Sequence, residues 1–336
     1  MASLADYAPD ERTARVILSM IAEPANVTVG RLLRQEGGIE TLRALETADP
    51  ISGARPEKAA ILHHRVQEVI SRPGFDDALR GALDGSYQPL IPGDPRWPAP
   101  VDDLGDRAPY VLWTRGATSF LAGSSRDRLT ITGARASTSY GNQVTSELAQ
   151  GASLAELIVV SGGAYGIDGA AHRAALSVGG STIAVMAGGP DHLYPRGHSD
   201  MLEQIADTGL LMSELPPGST PTRQRFAARG RLLAALSSST VIVEAGARSG
   251  ALDVVREARA LGRDVGAVPG PVTSAASTGT HMLIREGTAT LITGPHDLLT
   301  PMNNPAAAGL NRSHGLASGP QLDDPDAGRC SPGRGF

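Results

Sequence analysis

From Leu129 onward, short β-type apolar runs return at intervals that leave room for one helix each, and this rhythm restricts the fold more than any other feature of the 336 residues. The runs are Leu129-Thr-Ile-Thr132, Leu157-Ile-Val-Val160, Thr182-Ile-Ala-Val-Met186, Gly209-Leu-Leu-Met212, Val241-Ile-Val243, Val265-Gly-Ala-Val268 and Ala289-Thr-Leu-Ile292. Continuous aliphatic strands of this kind are buried on both faces, and parallel neighbours need long crossovers, which the amphipathic stretches between the runs supply. The pattern predicts an α/β fold: a doubly wound, mostly parallel sheet covered by helices.

Upstream, Asp10 to about Gly85 reads as a series of short helices. Val16, Ile17, Met20 and Ile21 share a face that stops at Pro24. Thr28 is placed to cap a helix carrying Leu32 and Leu33 and ending at Gly37-Gly38, and a further helix holds Ile39, Leu42 and Leu45. From Pro56, Leu62, Val66, Val69 and Ile70 form one stripe with His63 and His64 beside it. That histidine pair has no third ligand nearby and reads as a helix flank rather than a metal site. A Pro-rich connector, Gly93 to Pro100, then leads to the extended run Pro109-Tyr-Val-Leu-Trp-Thr114. Beyond Leu299 the composition, mostly Pro, Gly, Asn, Ala and Asp, is that of a disordered tail.

With 41% hydrophobic and 19% charged residues the chain has the balance of a globular protein. Aromatics are only 4%, so a ring inside a basic segment is less expected to be one core ring among many. The net charge of −5 argues against coating nucleic acid over the whole surface and leaves any such reading to local patches. Lys58 is the one lysine, so nearly all positive charge is guanidinium. The N-terminal residues lack a basic stretch followed by an apolar run, and no apolar segment approaches the ~18 residues of a membrane span, so a cytoplasmic location is expected. The single cysteine, Cys330, provides neither a disulfide framework nor a metal cluster.

In a doubly wound sheet, ligands meet the loops at the carboxyl ends of the strands. After the first run, Thr132-Gly133-Ala134-Arg135-Ala136-Ser137 leads to a helix start near Ser139-Tyr140-Gly141. Glycine permits a tight turn, the helix start offers N–H groups and Arg135 adds charge; the segment is an anion site or a plain turn with a surface arginine. The second loop, Ser161-Gly162-Gly163-Ala164-Tyr165-Gly166-Ile167-Asp168, has small residues that let a phosphate approach the backbone. Asp168 and His172, one turn apart, read as capping and local hydrogen bonding rather than a metal site, because no cluster of further ligands accompanies them. The third, Ala187 to Pro195, is a bent segment with Tyr194 fixed by Pro195, and it is expected to form a wall of the cleft. The fourth holds Arg223, Arg225, Phe226, Arg229 and Arg231, with no acidic residue between Glu214 and Glu244. Interleaved guanidinium and ring suit a single strand, whose phosphates pair with the cations while a base stacks on the ring. The alternative is an amphipathic helix with Phe226 and Leu232 buried and the arginines solvated. The fifth loop, Glu244 to Leu252, offers Ser249 and Gly250 to another phosphate.

In order and spacing these loops resemble the DNA-processing protein A (DprA/Smf) family. The matching pieces are Gly133-Ala-Arg135 with Ser139-Tyr-Gly141, Ser161 to Asp168 with Ala171-His172, Tyr194-Pro195, Ser213-Glu214-Leu-Pro216, Phe226 to Arg231, Glu244 with Ser249-Gly250, Val268-Pro269-Gly270, and Gly279-Thr280 with Leu283-Ile284. The resemblance implies a helical, SAM-like domain over 1–85 and a Rossmann-like domain over 86–300; many members end in a winged helix, which the disordered tail expected over 301–336 is too short and too polar to form. It implies a non-enzymatic protein without a cofactor that binds single-stranded DNA, forms a homodimer through the Rossmann-like domain and helps load RecA recombinase, as in natural transformation. By position, Arg135, Arg223 and Phe226 are the family's strand-contacting residues, and Gly133, Ser137, Gly163, Arg229, Arg231, Ser249 and Gly250 complete the expected DNA-binding set. The chain departs from the family pattern at Ala227, Gly230 and His281.

Two rival readings remain weaker. A nucleotide enzyme or sensor related to the phosphoribohydrolases would need a Pro-Gly-Gly-x-Gly-Thr-x-x-Glu loop where this chain has Glu244-Ala-Gly-Ala-Arg-Ser-Gly-Ala-Leu252. A dinucleotide oxidoreductase would need Gly-x-Gly-x-x-Gly after the first strand.

Overall fold

The computed structural model describes residues 4–47, 51, 55–85 and 87–299, apart from the Lys58 side chain. The polar tail expected to be disordered, with Cys330, lies outside the described residues.

Among the described residues a 3-10 turn at Leu4–Tyr7 is followed by four α-helices, α1 (Glu11–Ile21), α2 (Val27–Glu46), α3 (Pro56–Ile70) and α4 (Phe75–Leu83), before the sheet. Asp10 caps α1 by accepting from Thr13 N at 2.8 Å. The cap of α2 is Asn26, not Thr28: its Oδ1 accepts from Thr28 N and Val29 N at 3.0 and 3.3 Å. The two helices expected on either side of Gly37-Gly38 run together across a kink at Gly37, whose φ of 79° suits a residue without a side chain. Ile17, Leu18, Leu42, Leu45 and Val66 bury the facing stripes of these helices. His63 sits half-buried against Leu45 O at 2.9 Å, and His64 is exposed.

Among the described residues nine strands make one sheet: β1 (Gln88–Leu90), β2 (Leu112–Gly116), β3 (Arg128–Thr132), β4 (Ile158–Ser161), β5 (Thr182–Val185), β6 (Leu210–Ser213), β7 (Ser239–Ile242), β8 (Asp264–Ala267) and β9 (Thr290–Leu291). Their order is β1-β2-β6-β5-β4-β3-β7-β8-β9. The strands from β3 onward pair in parallel, and β1 and β2 add an antiparallel edge. Each of the seven runs read from sequence overlaps one of the parallel strands. The architecture is therefore α/β, with a mostly parallel, doubly wound sheet preceded by helices.

Helices α5 (Ser139–Leu154), α6 (Ile167–Ser177), α7 (Ser199–Thr208), α8 (Arg223–Leu236), α9 (Ala251–Ala260) and α10 (Thr278–Arg285) connect the parallel strands. Leu148, Ala149, Ala171 and Ala175 from α5 and α6 pack with Leu129, Ile131 and Val159. Leu232, Leu233, Leu236 and Val255 from α8 and α9 pack with Val160, Ile183 and Val265. The core is correspondingly aliphatic, and each fully buried Val, Leu or Ile contributes about 1.5–3 kcal/mol. Tyr110, Val111 and Trp113 lie in the core of the N-terminal helices, which fastens that region to the β2 side of the sheet.

Several polar groups inside the sheet are tied to carbonyls. Thr130 donates to Leu233 O at 2.7 Å and Ser161 to Ile131 O at 2.6 Å. Arg128, buried at the start of β3, donates through Nε to Leu236 O at 2.7 Å, a cation placed where the carbonyl end of α8 attracts it. Burial pushes this guanidinium below its ordinary pKa.

The chain advances from β3 to β6 in one direction and then returns to place β7 on the other side of β3. That reversal puts a topological switch point between the carboxyl ends of β3 and β7, where such sheets open a crevice.

Candidate functional site

A cleft of ≈ 1270 Å³ opens at this switch point. Its lining comes from the segments after β3, β4, β5, β6, β7 and β8. Gly133, Arg135, Arg223, Phe226, Arg229, Ser249 and Gly250 line it, as does Tyr194. Ser137, Gly163 and Arg231 do not.

The start of α5, expected to offer free N–H groups, is already occupied by a carboxylate. Glu244, at the end of β7 and 1% exposed, accepts from Thr138 N at 2.9 Å and from Thr138 Oγ1 at 2.6 Å. The Thr138 hydroxyl in turn accepts from Gly141 N at 3.1 Å. A Cβ on Gly141 would fall 2.3 Å from a Glu244 oxygen, so glycine is what admits the carboxylate. An internal anion therefore takes the place the sequence left for a phosphate, and Glu244 orients the turn that presents Arg135. Ser137 is correspondingly turned away, its hydroxyl donating to Asn142 Oδ1 at 2.6 Å.

Helix α8 starts with Thr222, which accepts from Arg225 N at 3.2 Å. Its four arginines do not form one patch, because helical spacing points them in different directions. Arg225 pairs with Glu23 at 2.9 Å, an acid supplied from the turn between α1 and α2. Arg231 is 2% exposed and held by both oxygens of Glu214, with Nη1 at 2.6 Å from Oε1 and Nε donating to Arg107 O at 2.7 Å. This corrects its place in the expected DNA-binding set: the side chain is spent inside the protein. Arg229 lies under the cleft, donating to Gly162 O at 2.5 Å and standing 3.6 Å from Asp168. Burial lowers its pKa while Asp168 opposes the shift. Gly162 leaves room for that guanidinium, since a Cβ there would meet Nη1 at 2.2 Å. Only Arg223 of the four is exposed at the cleft.

Phe226 is half-buried, with one guanidinium on it and another close by. The Arg135 Cζ stands 4.3 Å from the ring centroid and the Arg229 Cζ 5.4 Å. Tyr194 meets the same ring edge-on at 5.9 Å. Among the described residues neither Arg135 nor Arg223 has a carboxylate partner, nor does Arg248, which also lines the cleft. Three cations without a carboxylate partner in one cleft leave it short of negative charge although the chain as a whole is acidic.

Asp168 accepts from Thr132 Oγ1 at 2.7 Å and His172 faces Thr182 Oγ1 at 2.8 Å, so each serves local hydrogen bonding. Gly163 is buried, its carbonyl 3.0 Å from His198 Nδ1. Ser249 accepts from Ala251 N at 3.3 Å and keeps its hydroxyl proton available to the cleft. Sequence reading missed the internal roles of Glu244 and Arg229 and the cleft positions of Arg248 and Arg256. Arg248 stood in the fifth loop and could have been found there; no sequence signal distinguished Arg229 from Arg223.

The buried His172 gives a pH prediction. The Thr182 hydroxyl donates to Val159 O, which makes Nδ1 the protonated nitrogen and leaves Nε2 bare. Desolvation, with the charges of His198, Arg229 and Arg173, lowers the His172 pKa to about 3. The unfolded chain, with a histidine near 6.5, then binds more protons than the folded one between these values, so this residue removes stability as pH falls from about 6.5 toward 3. The slope reaches about 1.4 kcal/mol per pH unit. Urea unfolding at pH 7 and pH 5 should show a smaller loss for His172→Gln than for wild type; equal losses would refute the assignment.

Comparisons with known proteins place the chain in a family. Residues 88–303 match the family described as DNA recombination-mediator protein A. The chain is 43% identical over 292 residues to a Mycobacterium tuberculosis protein proposed to be the DNA processing protein DprA, covering 84% of this chain and 72% of that one. It is 38% identical over 206 residues to the DNA processing protein DprA of Streptococcus pneumoniae, covering 61% and 71%. The X-ray structure of the Streptococcus pneumoniae protein superposes with a TM-score of 0.71 at 30% identity, over 90% of this chain and 99% of that one. DNA processing protein A from Helicobacter pylori, whose structure concerns its single-stranded DNA binding mode, gives a TM-score of 0.57 at 29% identity, over 68% and 96%. With its switch-point cleft, its loop motifs and a family match over most of its length, the chain belongs to the DNA recombination-mediator protein A family.

Proposed function

We propose that this protein binds single-stranded DNA in the switch-point cleft and passes it to RecA recombinase, acting as a mediator in the cytoplasm and catalysing no reaction itself. The observation that carries the proposal is the Arg135 guanidinium poised 4.3 Å over the half-open Phe226 ring, without a carboxylate partner among the described residues. A phosphate entering here meets Arg135, Arg223 and Arg248, and a base gains the ring as a stacking face that is indifferent to sequence. Gly133, Ser249 and Gly250 supply close backbone or hydroxyl contacts beside these cations. The region 86–300 carries the site, and the helices of 1–85 brace α8 through Glu23 and Arg225.

The recombinase step and homodimer formation through the sheet domain are part of the same proposal, supported by the family description and by the resemblance of the loops. No described helix is long and apolar enough to cross a membrane, which is compatible with this setting.

Titration of a fluorescent oligothymidylate at several salt concentrations tests the binding step. Affinity should fall steeply with salt, vary little with base sequence and exceed that for a duplex of equal length. Salt-independent binding, or release of free base from nucleoside monophosphates incubated with the protein, would overturn the proposal. Formation of RecA filaments on DNA covered by single-strand-binding protein, faster with this protein than without it, tests the transfer step.

A further inference from the structure

We propose that Tyr194 is a second base-stacking subsite, so that the cleft seats two successive bases of one strand, one on Phe226 and the other on Tyr194. This deepens the single-strand reading above and rests on it.

Tyr194 is 44% exposed in a chain poor in aromatics, and it forms part of the cleft wall on the segment between β5 and α7. Its hydroxyl has no hydrogen-bond partner among the described residues. By contrast Tyr140 donates to Pro269 O at 2.5 Å and Tyr110 to Glu23 O at 3.2 Å, while the exposed Tyr165 does not line the cleft. Tyr194 touches Phe226 through an edge contact at an interplanar angle of 61°, so neither ring stacks on the other. The centroid separation of 5.9 Å exceeds the ~3.4 Å rise per nucleotide of a stacked strand, and it suits two bases splayed onto separate rings.

The segment bearing Tyr194 is also fixed in place. Gly189 N donates to Ser219 O at 2.8 Å, both oxygens of Asp191 accept from Gly218 N at 2.9 Å, and His198 N donates to Pro195 O at 2.8 Å. The first two tie the wall to the segment that leads into α8 and the third closes the turn after Tyr194, so the two rings keep their spacing before ligand arrives, and little ordering entropy is lost on binding.

The test uses oligothymidylate and a strand of equal length in which every second base is replaced by an abasic tetrahydrofuran unit. Tyr194→Ala should weaken oligothymidylate binding by about 10-fold. It should leave binding to the alternating strand unchanged, because one base can still register on Phe226, and Tyr194→Phe should restore oligothymidylate binding. An equal loss on both strands would mean that Tyr194 only supports Phe226 and would overturn the proposal. Loss in Phe226→Ala with none in Tyr194→Ala would overturn it while sparing the parent reading. No effect of either substitution would remove the parent reading as well.

Discussion

Replacing Phe226 with alanine should weaken oligothymidylate binding by about 1–3 kcal/mol, a 5- to 150-fold rise in Kd, with little change in the salt slope. Arg135→Ala should behave differently, lowering affinity while flattening the plot of log K against log salt by about 0.7, the contribution of one phosphate on a single strand. The contrast follows from what each group offers: a ring trades apolar contact with a base, whereas a guanidinium displaces counterions. Because Arg135 lies over Phe226 in the free protein, the two losses should not add, and a double-mutant cycle should return a coupling energy. Unchanged affinity in both single variants would remove the site from the cleft.

The largest effect on stability should come from the buried pair whose arginine, Arg231, was expected among the DNA-binding residues. Arg231 and Glu214 are 2% and 8% exposed, and each guanidinium Nη faces its own carboxylate oxygen. Removing one partner leaves the other charge buried, so Glu214→Gln or Arg231→Met should each cost about 3–5 kcal/mol in urea unfolding. The double variant, Glu214→Leu with Arg231→Met, should recover much of that loss, because no uncompensated charge remains. Single-variant losses that simply add in the double variant would show that the pair does not act as a unit.

Where apolar periodicity carries the information, the chain was readable. Runs such as Val241-Ile-Val243 and Thr182-Ile-Ala-Val-Met186 located the parallel strands because a strand covered on both faces must be continuously apolar. The three-residue β1 escaped, since it contains Pro89 and lies at an edge where no apolar run is required. The cap expected at Thr28 falls instead on Asn26, two residues earlier and the stronger capping residue.

The site was readable only as far as composition reports location. Arg135 stands in the loop after β3 and Arg223 and Phe226 in the first turn of α8, and the fold brings these segments together at the cleft. Charge pairing was invisible, because partners such as Glu23 for Arg225 lie far away in the chain. The same holds for Glu244, which looked like a loop residue and instead fills the anion position at α5. A patch counted along the sequence therefore overstated the exposed charge, and burial decided which arginines remain free.

The most direct measurement is photocrosslinking of the protein to an oligothymidylate carrying 5-iododeoxyuridine, followed by mass-spectrometric mapping of the adduct. A strand stacked in the switch-point cleft should mark peptides containing Phe226 or Tyr194, and the marking should fade in Phe226→Ala. Adducts confined to peptides that do not line the cleft, formed while the strand remains bound, would contradict the account.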